Sequence, residues 1–329
     1  MSDVHSLLGR AAAPLREAVE AGRIPGGILG IVDADGNSAV TVHGSAQLTP
    51  IHRPMHEDTW FDLASLTKVI FTTQRILGLA QAGVIDLDAP LISVLADFRQ
   101  YNPDNWERKV TFRQCLGHQT PFPGVFPIYT YGTDPDQLRA FVLQHEWPAG
   151  PDVYSDLNFI LLGIVLERLE DRRIREIDPG SGFAWSAPAE NAAATEKCAW
   201  RNRVLSGEVH DENCAALQGS GHAGLFGTVG SVLAFAERLL RGEGNPLIRE
   251  PLSGRRTHGW ERAYDGWSGG DYCPAQTIGH TGFTGTGLWI DFAAGRAWTL
   301  LTNRVHPTRH FDSGIVALRR ATGDLINGG

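Results

Sequence analysis

The chain has 329 residues, of which 42% are hydrophobic and 20% are charged, and its formal net charge at pH 7 is -8. This composition is typical of a globular protein and excludes a disordered or collagen-like chain. The acidic balance also argues against nucleic acid or an anionic membrane as the main partner. The length predicts two domains, or one large fold with an inserted lobe.

The sequence shows none of the patterns that direct export or membrane insertion. Residues 1–27 contain no basic stretch followed by an apolar one, so no signal peptide is predicted. No run reaches the roughly 18 apolar residues that a membrane span needs. The cysteines form no Cys-x-x-Cys pair, which indicates reduced thiols. They are Cys115, Cys198, Cys214 and Cys273. We therefore expect a cytoplasmic protein.

The first predicted elements are a helix and a hairpin. Residues 6–21 carry apolar side chains at helical spacing, and Ser6 is predicted to be the N-cap. Two apolar runs, Ile28–Val32 and Ala39–Val42, flank a turn at Asp33–Asn37. This pattern predicts two paired strands.

A Ser-x-x-Lys motif follows at Ser65 and Lys68, and it leads into the amphipathic run Val69–Ala82. The pattern predicts a helix that begins at or just before Ser65, with both side chains on one face. A buried lysine amine can have a lowered pKa and accept the proton of a serine nucleophile. Lys68 is also one of only three lysines in the chain. The alternative is a capping Ser65 and a surface Lys68.

The next motif, Tyr154-Ser155-Asp156, opens the apolar helical run Ile160–Leu169. A tyrosine at a junction between a loop and a helix can relay a proton and bind a substrate carbonyl. The alternative is an ordinary helix start that Asp156 caps.

The segment from 171 to 219 loses helical periodicity, which predicts long loops, and long loops are often functional. Four side chains in and after it are possible metal ligands. They are His210, Asp211, Cys214 and His222. Their spacing matches no zinc pattern, so we predict no metal and expect a loop that shapes the substrate pocket.

A glycine-rich segment, His280-Thr281-Gly282, lies near the end of the chain. Its glycines allow a ligand or another backbone to approach closely, and the alternative is a simple turn. Strands are then predicted over Gly287–Asp291 and Arg296–Thr302, and a helix over Phe311–Leu325.

Strands and helices thus lie at both ends of the chain, with a mostly helical middle. We predict an α/β (α+β) fold in which one antiparallel sheet, built from both chain ends, is flanked by helices. The sheet domain is expected to comprise residues 1–65 and 220–329. Residues 66–219 are expected to form an inserted helical lobe, with the active site at the interface.

Three motifs, taken in chain order, resemble a known family. Ser65-x-x-Lys68, Tyr154-x-Asp156 and His280-Thr281-Gly282 resemble the signatures of the serine β-lactamase and penicillin-binding-protein superfamily, especially its class C enzymes and esterase relatives. Leu116-Gly117-His118 resembles a further element of that family. Residues 207–213, 221–226 and 301–307 resemble a narrower branch that includes muramyl-L-alanine amidases. The resemblance implies a β-lactamase/transpeptidase-like fold.

The resemblance also implies roles for individual residues. Ser65 would be the nucleophile, Lys68 and Tyr154 would remove its proton, and His280 would assist proton transfer. The backbone amides of Ser65 and Phe283 would form the oxyanion hole. The substrate would be bound by the remaining site residues, which are Asp156, Thr281, Gly282 and His222. No cofactor is expected.

Two residues depart from the family's pattern. Asp156 stands where asparagine is usual, and His280 stands where lysine is usual. Histidine is mostly neutral above a pKa near ~6.5, so it holds a substrate carboxylate less firmly than lysine. Asp156 is expected to keep His280 protonated while partly cancelling its charge. We therefore expect weak turnover of β-lactams.

We expect the chain to hydrolyse an amide in a cell-wall (muropeptide) fragment through an acyl-enzyme on Ser65. The expected partner is a small-molecule or peptide-like substrate, with neither nucleic acid nor a membrane involved. The alternatives are a carboxylesterase for small acyl esters and a catalytically silent peptidoglycan-binding or sensing module. The oligomeric state is not predicted.

Overall fold

A seven-stranded antiparallel sheet forms the centre of the computed structural model, which describes residues 4–328. In chain order the strands are β1 (Gly26–Asp33), β2 (Ser38–Gln47), β3 (Arg53–Pro54), β4 (Phe61–Asp62), β5 (Phe183–Ala184), β6 (Lys197–Cys198), β7 (Arg203–Val204), β8 (Phe226–Gly227), β9 (Glu261–Arg262), β10 (Ile278–Thr281), β11 (Gly287–Asp291) and β12 (Arg296–Thr302). The spatial order in the large sheet is β3-β2-β1-β12-β11-β10-β9. Strands from the two chain ends therefore meet at the β1–β12 pair, where Gly30 lies opposite Thr299.

Helices cover both faces of this sheet. The α-helices are α1 (Val4–Ala11), α2 (Ala13–Glu20), α3 (Thr73–Gln81), α4 (Phe112–Leu116), α5 (Pro135–Gln144), α6 (Asp156–Glu170), α7 (Glu212–Ala216), α8 (Val229–Leu240) and α9 (Ile315–Asn327). A π-helical turn spans Lys68–Thr72, and short 3₁₀ helices span Leu91–Ser93, Trp106–Lys109, Ile128–Thr130, Ile174–Glu176, Ala189–Asn191 and Pro246–Arg249. Helices α1, α2 and α9 lie on one face of the sheet and α8 on the other.

The alternation of side chains in β12 separates two hydrophobic cores. Trp298 and Leu300 pack with α1 and α9, whereas Ala297 and Leu301 join the larger core that continues into the helical middle of the chain. This arrangement follows from the period of two residues in a strand. The predicted antiparallel sheet with flanking helices is confirmed.

The N-terminal helix differs from the prediction. Two helices, α1 and α2, replace a single helix over residues 6–21, because Pro14 has no N–H to donate across the junction. Ser6 lies inside α1 and is therefore not its N-cap. The last helix begins at Ile315 instead of Phe311, after Gly314, whose φ of +65° is a left-handed conformation.

A small second sheet links the nucleophile motif to the middle of the chain. Its order is β4-β8-β5, so the strand before Ser65 pairs with β8, and β8 pairs with a strand from the predicted lobe. All seven strands of the large sheet lie between residues 26 and 54 or between 261 and 302. No helix within residues 4–328 is both long enough and apolar enough to cross a membrane.

Candidate active site

Ser65 lies on a tight turn between β4 and the following helix. The preceding residue, Ala64, has a φ of +47°, a conformation that is uncommon for residues other than glycine and occurs at active sites. The Ala64 amide donates to Asp62 Oδ1 at 2.8 Å, which holds this turn. From residue 61 to residue 70 only Ser65 is not buried. The helix begins at Leu66, slightly later than the predicted start at or just before Ser65, and it is π-helical over Lys68–Thr72.

The Lys68 amine is fully buried, donates to two acceptors and forms one ion pair. It donates to Ser65 Oγ at 2.8 Å and to the His222 carbonyl oxygen at 3.1 Å, and it lies 2.9 Å from Asp156 Oδ1. A charged ammonium group has no acceptor lone pair, so it can only donate to these oxygen atoms. This geometry suits the charged form of the lysine.

The prediction of a lowered pKa for Lys68 is wrong. Burial lowers the pKa of Lys68, but the Asp156 carboxylate and Tyr154 oppose burial and leave the pKa above its ordinary value. The reason is the contact with Asp156, which the spacing of Ser65 and Lys68 does not reveal. Asp156 therefore pairs through Oδ1 with the catalytic lysine candidate, and Ser155 rather than Asp156 is the N-cap of α6. The side chain of Asp156 is 23% exposed, so its expected contact with substrate stays a prediction.

The ring of His118 packs on Tyr154 beside Ser65 and Lys68, and the sequence did not indicate His118 as a site residue. The His118 ring packs on the Tyr154 ring with 4.4 Å between centroids. His118 also fixes the start of α6, because its Nδ1 accepts from the Ser155 amide at 3.1 Å. Burial raises the pKa of Tyr154, while Lys68 and Ser65 oppose this effect. The only signal for His118 was its place in the Leu116-Gly117-His118 element.

His280 faces the same group from β10, with 5.9 Å between its ring centroid and that of Tyr154. Burial, together with the nearby cations Lys68 and Arg256, holds the pKa of His280 well below its usual range. The expectation that Asp156 keeps His280 protonated is therefore wrong. Nδ1 lies 3.0 Å from the Thr281 carbonyl oxygen, so Nδ1 carries the proton and Nε2 is an acceptor.

The stability of the protein is expected to fall on acidification partly because of His280. The unfolded chain takes up a proton near pH ~6.5, whereas folded His280 stays neutral to lower pH, so unfolding is favoured by about 1.4 kcal/mol for each pH unit below ~6.5. Urea unfolding at pH 7.5 and pH 5.5 measures this loss. Between pH 7.5 and pH 5.5 the free energy of unfolding should fall less in the variant His280→Gln than in wild type, because the contribution of His280 is missing. The exposed control His310→Gln should show the same fall as wild type. Equal pH slopes in His280→Gln and wild type would contradict the neutral imidazole.

Two backbone amides at and near the Ser65 turn have no acceptor among the described residues. Among residues 4–328, neither the Ser65 amide nor the Phe283 amide has a hydrogen-bond acceptor. Gly282 brings them together, because a Cβ at this position would lie 2.7 Å from the Leu63 carbonyl oxygen and 3.2 Å from Ala64 Cβ. The arrangement suits an oxyanion hole, in which free amides stabilise developing negative charge.

The backbone amide and carbonyl of Gly282 are both occupied, so its expected role in substrate binding, which stays a prediction, would not use them. Its amide donates to the Thr286 carbonyl at 2.8 Å, and its carbonyl accepts from Arg319 at 2.9 Å. Gly282 instead permits the close approach of two backbones. Thr281 is partly exposed at the end of β10 and stays a candidate contact for substrate.

A family model described as Beta-lactamase matches residues 11–322. The chain belongs to the beta-lactamase family. An N-acetylmuramyl-L-alanine amidase of Bacillus subtilis (strain 168) is 27% identical over 317 residues, covering 78% of this chain and 71% of that protein. A putative D-alanyl-D-alanine carboxypeptidase of Escherichia coli (strain K12) is 26% identical, covering 75% of this chain and 70% of that protein. The predicted family is confirmed, and the chain is a serine hydrolase of this family.

Solved structures agree on the fold. EstCE1, described as a hydrolase with promiscuous acyltransferase activity, has a TM-score of 0.76 at 20% identity and covers 98% of this chain and 99% of its own. A beta-lactamase from Sulfitobacter sp. EE-36 also has a TM-score of 0.76, at 18% identity, and both chains are fully covered. At these identities the likeness shows the fold alone.

His222 of this beta-lactamase-family chain is not placed to bind substrate with its side chain, which corrects the prediction. The residue is 1% exposed. Its Nδ1 lies 2.8 Å from Ser220 Oγ and its Nε2 lies 2.9 Å from Asp211 Oδ1. The imidazole is thus tied to protein groups on both sides, and only the carbonyl oxygen reaches the site, where it accepts from Lys68.

The other possible metal ligands are also bonded to protein groups. His210 Nε2 lies 3.1 Å from Glu196 Oε2, and Cys214 Sγ lies 3.1 Å from the Ala223 carbonyl oxygen. Within the part of the chain that the structure describes, no three His, Cys, Asp or Glu side chains form a group that could hold a metal ion. The loop supports the nucleophile turn instead, because the His210 amide donates to Asp62 Oδ2 at 2.6 Å.

Arg256 is a cation beside Tyr154 that the sequence did not indicate as a site residue. Its guanidinium carbon lies 5.2 Å from the centroid of the Tyr154 ring, and it pairs with Glu261 at 3.2 Å. It also contributes to the lowered pKa values of His118 and His280. No motif marked it, because a lone arginine before a short strand carries no sequence signal.

Proposed function

We propose that this serine hydrolase cleaves an amide bond in cell-wall (muropeptide) fragments through an acyl-enzyme on Ser65. The observation that carries the proposal is the 2.8 Å contact between Lys68 Nζ and Ser65 Oγ, with Tyr154 beside both groups. The choice of an amide rests on the 27% identity to a protein described as an N-acetylmuramyl-L-alanine amidase.

In the proposed mechanism Ser65 Oγ attacks the amide carbonyl while its proton passes to Lys68, which acts in its amine form with the help of Tyr154. The oxyanion accepts hydrogen bonds from the amides of Ser65 and Phe283. Tyr154 then donates its proton to the leaving nitrogen and takes a proton from the protonated Lys68 in its place, and neutral His280 assists this transfer. Water finally hydrolyses the acyl-enzyme and regenerates Ser65.

Hydrolysis of small acyl esters is the second candidate function. Neutral His280 favours ester hydrolysis, because a site without a fixed cation at this position does not require a carboxylate on its substrate. The same feature supports weak β-lactam turnover.

We further propose a cytoplasmic location, which cell fractionation tests directly.

A substrate panel distinguishes the amide from the ester proposal. Purified protein is incubated with muramyl dipeptide and, separately, with p-nitrophenyl acyl esters of two to eight carbons. We expect release of the dipeptide from the muramyl group, seen by mass spectrometry, and no release by Ser65→Ala. Ester hydrolysis without any cleavage of muramyl dipeptide would favour the carboxylesterase and contradict the amidase.

A further inference from the structure

A buried cation lies directly behind the peptide bond of the proposed oxyanion hole. Arg319, on α9, is 6% exposed, and its Nη2 donates to the Gly282 carbonyl at 2.9 Å and to the Thr286 carbonyl at 2.8 Å. These two carbonyls mark the two ends of the loop that carries Phe283. The Gly282 carbonyl also accepts from the Gly285 amide at 3.1 Å, so the loop is closed on itself as well.

The carbonyl that Arg319 contacts and the amide of Phe283 belong to the same peptide unit. That unit is trans, because the cis peptide bonds of residues 4–328 precede Pro50 and Pro307. In a trans peptide the C=O and N–H bonds point in opposite directions. The Phe283 N–H therefore points away from Arg319, and it has no acceptor among the described residues.

Arg319 forms no ion pair with a carboxylate among the described residues, although Glu261 is near enough to favour its charged form. Within residues 4–328 no Asp or Glu oxygen lies within 4.0 Å of its guanidinium nitrogens. Burial, with Arg304 nearby, lowers the pKa of Arg319 to about 9, so the group is still charged at neutral pH. Burying a charge without a counter-ion costs free energy. A neutral donor could make the same structural hydrogen bonds without that cost.

A charged donor on a carbonyl polarises the whole peptide unit and strengthens its N–H as a donor. We propose that Arg319 is a positioning residue that aims and polarises the Gly282–Phe283 peptide, so that the Phe283 amide stabilises the oxyanion. The proposal rests on the proposed function, because it needs an acyl-transfer step at Ser65. Through Arg319, helix α9 contributes to catalysis without contacting the substrate.

The test uses the rate at which a fluorophosphonate labels Ser65, because its P=O oxygen occupies an oxyanion hole during attack and fluoride leaves. Arg319→Gln keeps a hydrogen-bond donor but removes the charge. We expect its maximal labelling rate to fall by about tenfold, less than the 10²–10³ for loss of a whole donor, with half-saturating concentration within about twofold of wild type. Arg319→Lys, which restores the charge, should recover part of the rate.

The control is Arg320→Gln on the same helix, where the partly exposed side chain pairs with Asp271. Thermal unfolding gives the folded fraction of every variant, and rates are expressed per folded molecule. An unchanged maximal rate in folded Arg319→Gln would overturn the proposal. If Arg319→Gln does not fold, the neutral variant Arg319→Met takes its place, and an unchanged maximal rate with an unchanged chemical shift of the Phe283 amide proton in that variant would overturn the proposal. Absence of labelling in wild type would instead reject the proposed function itself.

Discussion

Replacing Ser65 by alanine is expected to abolish covalent labelling and to lower hydrolysis by at least about 10⁴-fold, as loss of the nucleophile does in other serine hydrolases. The reason is that Ser65 is partly exposed and its Oγ lies 2.8 Å from the Lys68 amine. Intact mass is measured after brief exposure to a fluorophosphonate and, in a separate sample, to a penicillin. A single fluorophosphonate adduct should appear in wild type and vanish in Ser65→Ala.

The matched control is Ser38→Ala, which removes an exposed hydroxyl far from the catalytic motif and should label as wild type does. Penicillin labelling of wild type should be slower than fluorophosphonate labelling, because neutral His280 offers no charge to the penicillin carboxylate. An adduct that persists in Ser65→Ala would place the nucleophile elsewhere. No adduct on wild type with either reagent would favour the catalytically silent binding module.

Replacing Asp156 by asparagine is expected to shift the pH dependence of acylation to lower pH. In wild type the carboxylate holds the pKa of Lys68 above its ordinary value, so little of the amine form exists at neutral pH. Without that charge the effect of burial prevails and the pKa of Lys68 falls. Each unit of decrease raises the amine fraction tenfold at a pH below the pKa, so acylation at pH 7 should rise by about tenfold or more.

The measurement is the fluorophosphonate labelling rate of Asp156→Asn between pH 5 and pH 10. Asp152→Asn is the control, because Asp152 is an exposed carboxylate only four residues earlier. Its profile should match that of wild type. An unshifted profile, or a rate that falls at every pH in Asp156→Asn, would show that Asp156 serves catalysis in another way than by setting the charge of Lys68.

The local sequence carried enough information to predict the fold and to choose the groups around Ser65. Helical spacing placed Lys68 one turn after Ser65, and a loop–helix junction placed Tyr154 at the start of α6. Apolar, strand-like runs at both chain ends predicted the sheet, and the structure pairs β1 with β12 accordingly. The details at element ends were less predictable, as the break between α1 and α2 shows, because one proline outweighed the apolar periodicity.

The ionisation of the site was decided by tertiary structure alone. A pKa depends on burial and on charges within a few ångströms, and those charges come from distant parts of the chain. Asp156, 88 positions after Lys68 in the chain, reverses the predicted pKa shift of the lysine. Burial, together with Lys68 and Arg256, likewise lowers the pKa of His280 and keeps it neutral.

The same distinction between local sequence and tertiary packing applies to the positions of His222 and Arg319. Sequence order by itself determined the family, the sheet and the residue types available for acyl transfer. It did not determine that His222 turns its imidazole away from the site, or that Arg319 on the last helix reaches the peptide of the proposed oxyanion hole. Local periodicity specifies which residues form an element, whereas only the packing of elements brings a charge to a particular carbonyl.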